Sequence, residues 1–195
     1  MADRARLTAS PVAPADADAL IRGRRTVDQF RPGELPDSAR IHEAIDLARW
    51  APNHHVTEPW RFYLIGDRTK AEIIELNTRL LTESRGAEVA DSKRQRWSAI
   101  PGWLAVNCVA HEDPITARED YAACACAIQN LMLYLHSAGI ATKWTSGAIT
   151  RAPEFLRILS AQPGEYCAGL IWYGYAKRGP RSQRRPVSEV IHYLD

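Results

Sequence analysis

No segment of this 195-residue chain is apolar for long enough to cross a bilayer. The longest such run, Tyr121 to Ile128, falls far short of the ~18 residues a membrane helix needs. Net charge is nearly absent too: 25 Lys and Arg face 23 Asp and Glu, so bulk attraction selects neither nucleic acid nor a membrane surface as a partner. Cysteine is sparse. Cys108, Cys124, Cys126 and Cys167 contain no C-x-x-C pair and stand in apolar stretches, so they read as small buried hydrophobes in a reducing compartment rather than as a disulfide scaffold. Met1 to Ala19 lacks the apolar core of roughly 7–15 residues that marks a signal peptide, which makes the cytoplasm the expected location. Also missing are G-x-G-x-x-G, a Walker A loop, a nucleophile elbow and a standout carboxylate pair. Adjacent His54 and His55 have no further His or carboxylate at ligand spacing, and no metal is expected.

What is present has the composition of an ordinary globular protein, with 46% hydrophobic and 25% charged residues, and the length suits one core. The division predicted is a mobile N-terminal arm over 1–15 and a single domain over 16–195. A short helix follows Asp16 and ends near Gly23. A second, capped by Asp37 or Ser38, carries Ile41, Ala44, Ile45 and Ala48 on one face and stops before Pro52. Arg61 to Ile65 reads as a strand, and Ile73, Ile74, Leu76, Leu80 and Leu81 mark the apolar side of a helix. Glu83 to Ser98 is charged and weakly amphipathic, an exposed helix or a mobile excursion. Trp103 to Ala110 reads as a strand buried on both faces. Ala117 to Ala138 is apolar around nearly its whole circumference, which predicts a central helix covered on all sides and ended by Gly139. A short strand over Ala141 to Thr145, a helix opened by Pro153, a strand over Tyr166 to Ala176 and a basic tail over Lys177 to Arg185 complete the chain. Helices and strands interleave without regular βαβ units, so the expectation is an α+β domain with a mixed or antiparallel central sheet flanked by helices.

Three segments could carry chemistry. Arg24, Arg25 and Thr26 follow the first helix, and Arg178, Arg181, Arg184 and Arg185 lie in the tail; guanidinium forks suit phosphate oxygens, and the two clusters could meet on one phosphate. Each alone also reads as a solvated charge run. Asn53 and His54 sit in a polar loop between helix and strand. Trp144, Thr145, Ser146 and Gly147 place amides and hydroxyls beside an indole, which on its own reads as packing.

Taken in order, these segments resemble the nitroreductase-like family of FMN-dependent oxidoreductases, in its compact NAD(P)H nitroreductase branch. The resemblance runs from about Asp18 to Tyr193. It is carried by Arg24-Arg25-Thr26-Val27, by Ala51-Pro52-Asn53-His54-His55 leading to Glu58-Pro59-Trp60-Arg61-Phe62, by Trp144-Thr145-Ser146-Gly147-Ala148, and by Gly169 to Gly174 with Arg184-Arg185-Pro186-Val187. It implies an entwined α+β homodimer with an FMN at each subunit interface. Arg24, Arg25 and Thr26, with Arg184 and Arg185, would hold the phosphate and ribityl region. Asn53 and His54 would approach from the partner subunit, and Trp144 to Gly147 would line the isoalloxazine. NADH or NADPH would be the electron donor, reducing flavin at N5 by ping-pong hydride transfer to a nitroaromatic, quinone or related small acceptor. No side chain is expected to act as acid or nucleophile.

One position departs from the family pattern. Asp28 stands where many members have Arg or Lys, and a carboxylate there would oppose negative charge developing on the reduced ring. The expectation is that Asp28 turns away or accepts from the flavin N3–H. Glu58 replaces the usual Gln. Two other readings share the scaffold: a flavin or nucleotide sensor or carrier without turnover, and a flavin-fragmenting or dehalogenating relative.

Overall fold

In the computed structural model, residues 12–179 and 181–194 are described. Most of the predicted mobile arm therefore lies outside the described residues. Its end does not: α1 (Pro14–Gly23) already begins at Pro14, because proline suits the first turn of a helix, where no N–H donor is needed.

The side-chain oxygen of Asp37 accepts from the Ala39 N–H at 3.0 Å and starts α2 (Ser38–Ala48), which buries Ile41, Ala44 and Ala48. Then come β1 (Trp60–Ile65), α3 (Asp67–Arg85), α4 (Ala87–Ser98), β2 (Gly102–Val109), α5 (Pro114–Ser137) and β3 (Ala141–Thr145). Two short helices, α6 (Ala148–Arg151) and α7 (Pro153–Ile158), precede β4 (Glu165–Gly174). Among the described residues the four strands form one sheet in the order β1-β2-β4-β3, antiparallel throughout. A parallel bridge from Thr26 to Thr142 lays the Arg24–Thr26 segment beside the β3 edge. The fold is the expected α+β class.

Central strands β2 and β4 are apolar on both faces because both faces are covered. One core, around Leu104, Val106, Ile128, Leu131, Leu135 and Ile171, lies between the sheet and helices α2 and α5. The other, around Ile73, Trp97, Trp103, Phe155, Leu170 and Trp172, lies on the opposite side. There the rings of Trp97, Trp103 and Trp172 meet with centroids 5.3 to 5.7 Å apart, two of the three pairs edge to face. They come from α4, β2 and β4. The Glu83 to Ser98 stretch is thus no excursion: Arg85 ends α3, and α4 docks through buried Ala90 and Trp97.

Two expectations about burial need correcting. The α5 helix is covered along one face, where Ala123, Cys124, Ala127, Ile128 and Leu131 are buried, but Ile115, Tyr121 and Cys126 are exposed in the single chain. The sequence could not separate these faces, since small residues such as Ala122 and Cys126 fill the outer one. Cys126 is therefore not a core residue, whereas Cys108 and Cys124 are buried and Cys167 is half-buried. No helix of the described residues is long and apolar enough to cross a membrane.

Candidate functional site

Arg24 and Arg25 leave the end of α1 and run beside β3, and the C-terminal segment returns to the same place. Arg24, Arg25, Arg184 and Arg185, with Arg22, Gln129 and Ser182, line one cavity of about 810 Å³. Two clusters some 160 residues apart in the chain thus share a wall; the α1·α5 contact sets one side and the returning tail the other. The cavity's carboxylate, Asp18, is taken by Arg22 at 2.5 Å. Arg25 spends its guanidinium on the backbone carbonyls of Arg22 and Arg24. Burial, and then the neighbouring charges of Arg25 and Arg184, push the Arg24 guanidinium below its ordinary value. Like charges held together with no carboxylate to neutralise them make a receptor for an anion of more than one charge.

Thr26 and Asp28 line a neighbouring cavity of about 190 Å³ with Gln29 and Arg178. The Asp28 carboxylate does turn to a partner, but within the protein: Lys143 Nζ lies 2.5 Å from one oxygen and Arg96 3.1 Å from the other. The Lys143 hydrogen bond, aided by attraction to Lys143 and Arg96, outweighs burial and holds the Asp28 carboxyl below its ordinary value. Lys143 Nζ also stands 5.2 Å from the centre of the Trp172 ring. The local charge around position 28 is therefore positive, because one carboxylate is answered by two cations. The sequence did not mark Arg96, and Lys143 stood only at the head of the Trp144 to Gly147 segment with no partner assigned, since nothing local links positions so far apart in the chain.

Along β3, Trp144 to Gly147 begin about 7 Å beyond Thr142 at the usual rise per residue. The Trp144 indole packs over Gly169, where any Cβ would come within 2.3 Å of its Nε1, and that Nε1 donates to the Ala168 carbonyl at 3.3 Å. Much of its surface is thus committed to the core around α5. Thr145 is half-buried and Ser146 exposed, while the Gly147 backbone is tied to the Thr150 hydroxyl. These residues end on the outer edge of the sheet.

Asn53 and His54 stand elsewhere. Their loop is clasped by Asn53, whose side chain donates to Thr57 at 2.9 Å and accepts from the Glu58 N–H at 2.7 Å. It is anchored on α5 by Thr57 donating to buried Asp120 at 2.5 Å and by His54 Nδ1 at 2.7 Å from Glu119. Glu119 precedes Gln129 of the arginine cavity by ten residues, about 15 Å along a helix, so one chain does not join this loop to that cavity. The neighbouring imidazoles of His54 and His55 stack at 3.9 Å. His55 at φ 56° and Val56 at φ 53° adopt the left-handed region, which is rare for non-glycine residues and strained for a β-branched one. Among the described residues no group of His, Cys, Asp and Glu has the makings of a metal site.

The geometry has counterparts among known proteins. A model of the Nitroreductase family matches residues 21–175. The Bacillus subtilis (strain 168) protein named "Putative NAD(P)H nitroreductase YfhC" is 33% identical over 171 residues, 85% of this chain and 87% of that one. A crystal structure of a nitroreductase-like family protein from Bacillus cereus superimposes with a TM-score of 0.78 at 27% identity, covering 91% of this chain and 95% of the other. The FMN-dependent nitroreductase NfnB from Mycobacterium smegmatis, crystallised with NADPH, shares the fold with a TM-score of 0.75 at 18% identity, over 93% and 99% of the two chains. Matched along most of its length by family and by a relative, the chain belongs to the nitroreductase family.

Proposed function

We propose that the protein is an FMN-dependent NAD(P)H oxidoreductase that reduces nitroaromatic, quinone or related electron-poor small molecules, working as a homodimer in the cytoplasm. The observation that carries this reading is the arginine cavity. A phosphate monoester brings up to two negative charges, and Arg24, Arg25 and Arg184 supply cations while the cavity's carboxylate, Asp18, is paired with Arg22. Thr26 adds a hydroxyl beside them.

The chemistry FMN supplies when bound is two-electron transfer between NAD(P)H and an acceptor. This chain's residues bind and orient it. From the phosphate end, the β3 edge leads to Trp144, Thr145, Ser146 and Gly147, which offer an indole edge and backbone amides to the ring. Lys143 and Arg96, answering Asp28, keep that neighbourhood positive, and positive charge favours an electron-rich ring. Asn53 and His54, too far from the cavity of their own chain, serve the site of a second copy. Exposed Trp50, Val56, Ile115 and Tyr121 around the same loop and the start of α5 favour such a neighbour.

The test is the visible spectrum of the protein purified without added cofactor, followed by anaerobic NADH or NADPH. Flavin bands that bleach, and return on adding a nitroaromatic or quinone, are the expected result. A colourless protein that FMN cannot reconstitute overturns the proposal. A flavin that binds but does not bleach leaves a carrier.

A further inference from the structure

Arg24 and Arg25 form a wall between two cavities. Behind them, away from Arg184, lies a second space of about 270 Å³ lined by Gly23, His136, Gly139 and Thr142 among others. His136 stands in the last turn of α5. Its ring presses so closely on the end of α1 that a Cβ on Gly23 would lie 2.8 Å from Nε2.

The charges facing this imidazole are unbalanced. Asp18 and Arg22 of α1 line the other cavity and pair with each other. From the segment after α1 come Arg24 and Arg25, and the tail contributes Arg184 and Arg185 on the far side of the wall. Burial first, then the charges of Arg24 and Arg25, hold the His136 imidazole below its ordinary value.

We propose that His136 backs the anion site from the far side of the Arg24–Arg25 wall, taking up a proton when a phosphate monoester docks against Arg24, Arg25 and Arg184. For the identity of the ligand as FMN the proposal rests on the function proposed above; for a bare dianion it stands on the cation cluster alone. Adding a proton to an imidazole beside two guanidinium groups is costly while they are uncompensated. A docked dianion cancels their charge and makes a third cation favourable. Linkage fixes the sign. If the imidazole holds its proton more tightly with the anion bound, the anion binds more tightly where the imidazole is protonated. Affinity therefore rises as pH falls through the titration of the occupied site, and levels off below that of the empty one.

Sulfate is the first probe, because its two charges stay constant across the range where histidine titrates. The NMR titration of the His136 ring in the full chain, assigned against His136→Gln, should move to higher pH when sulfate is added. A midpoint that does not move at saturating sulfate overturns the proposal. FMN and riboflavin come next, in wild type and His136→Gln. Between roughly pH 8 and pH 5, the span of histidine titration, FMN affinity should rise about tenfold more in wild type than in the variant, the equivalent of one unit of proton affinity. Ionisation of the FMN phosphate is common to both proteins and cancels. Riboflavin, lacking the phosphate, should show no such difference. An equal pH slope for FMN in both proteins counts against His136.

Gly23→Ala approaches from the other side. Its methyl displaces only the far end of a flexible side chain, so the fold should survive while the proton-linked part of the affinity disappears. A Gly23→Ala protein with the wild-type slope also overturns the proposal. Should FMN fail to bind at any pH while sulfate still shifts His136, the flavin assignment falls and the proton-linked anion site remains.

Discussion

Asp28 shows how a side chain changes meaning between sequence and structure. Read alone it is a negative charge in the wrong place; in the fold it is the tie between β3 and α4, holding Lys143 and Arg96. Sequence exposes such a residue but hides its partners, because ion pairs between segments far apart in the chain leave no local signature. His136 was equally silent: a histidine near a helix C-terminus is commonplace. The arginines were legible because several of one type cluster in short segments. The tie predicts a pH dependence. Its carboxyl titrates below its ordinary value of 3.8, so its contribution is complete above the unfolded value and fades as pH falls through the folded one. With the Asp28 side chain 46% exposed, screening limits the effect to under about 1 kcal/mol. Denaturant unfolding of wild type and Asp28→Asn should differ by that amount near neutrality and converge once the solution is acid enough to protonate the carboxyl. A gap that persists unchanged in acid contradicts the assignment.

At the scale of elements, periodicity told most of the story. The β1 and β3 runs were read within a residue of their observed bounds, and the α2 face at three-and-four spacing was read with its start, although the helix ends at Ala48, a few residues before Pro52. What failed were features set by tertiary contact. The docking of α4 depends on Trp97 meeting two indoles from distant strands, and the left-handed backbone at His55 and Val56 is dictated by the Asn53 clasp and the α5 anchors rather than by residue preference. Gly169 is the most exacting position in the sheet near the candidate ring site. An alanine there would bring its Cβ within 2.3 Å of Trp144 Nε1, 2.8 Å of Cδ1 and 3.1 Å of Ile128 Cδ1. Gly169→Ala should therefore expel the indole, break its hydrogen bond to Ala168 and cost about 1–3 kcal/mol, the usual range for an overpacked core. Thermal unfolding together with tryptophan emission checks it: a variant with wild-type stability and an unmoved emission maximum would show that Trp144 is not held as described.

For the molecule as a whole, the described surface carries more than one chain needs to hide from water. Trp50 is 72% exposed and Val56 75%, beside the loop that holds His54. The proposed homodimer accounts for both the uncovered face of α5 and the distance between this loop and the arginine cavity. Light scattering after size exclusion should give twice the 21.8 kDa chain mass, and a double substitution of Trp50 and Val56 by polar residues should shift it toward one chain with loss of FMN. A native monomer that keeps FMN would exclude a shared site. One further property follows from the tryptophan trio. Three indoles within 5.7 Å, donated by α4, β2 and β4, are close enough for their electronic transitions to couple, giving the protein a chiral optical signal that belongs to no single residue. Because one ring arrives on α4 and the other two on the sheet, that signal reports whether the helix is seated, and circular dichroism can follow its seating without a label or a ligand.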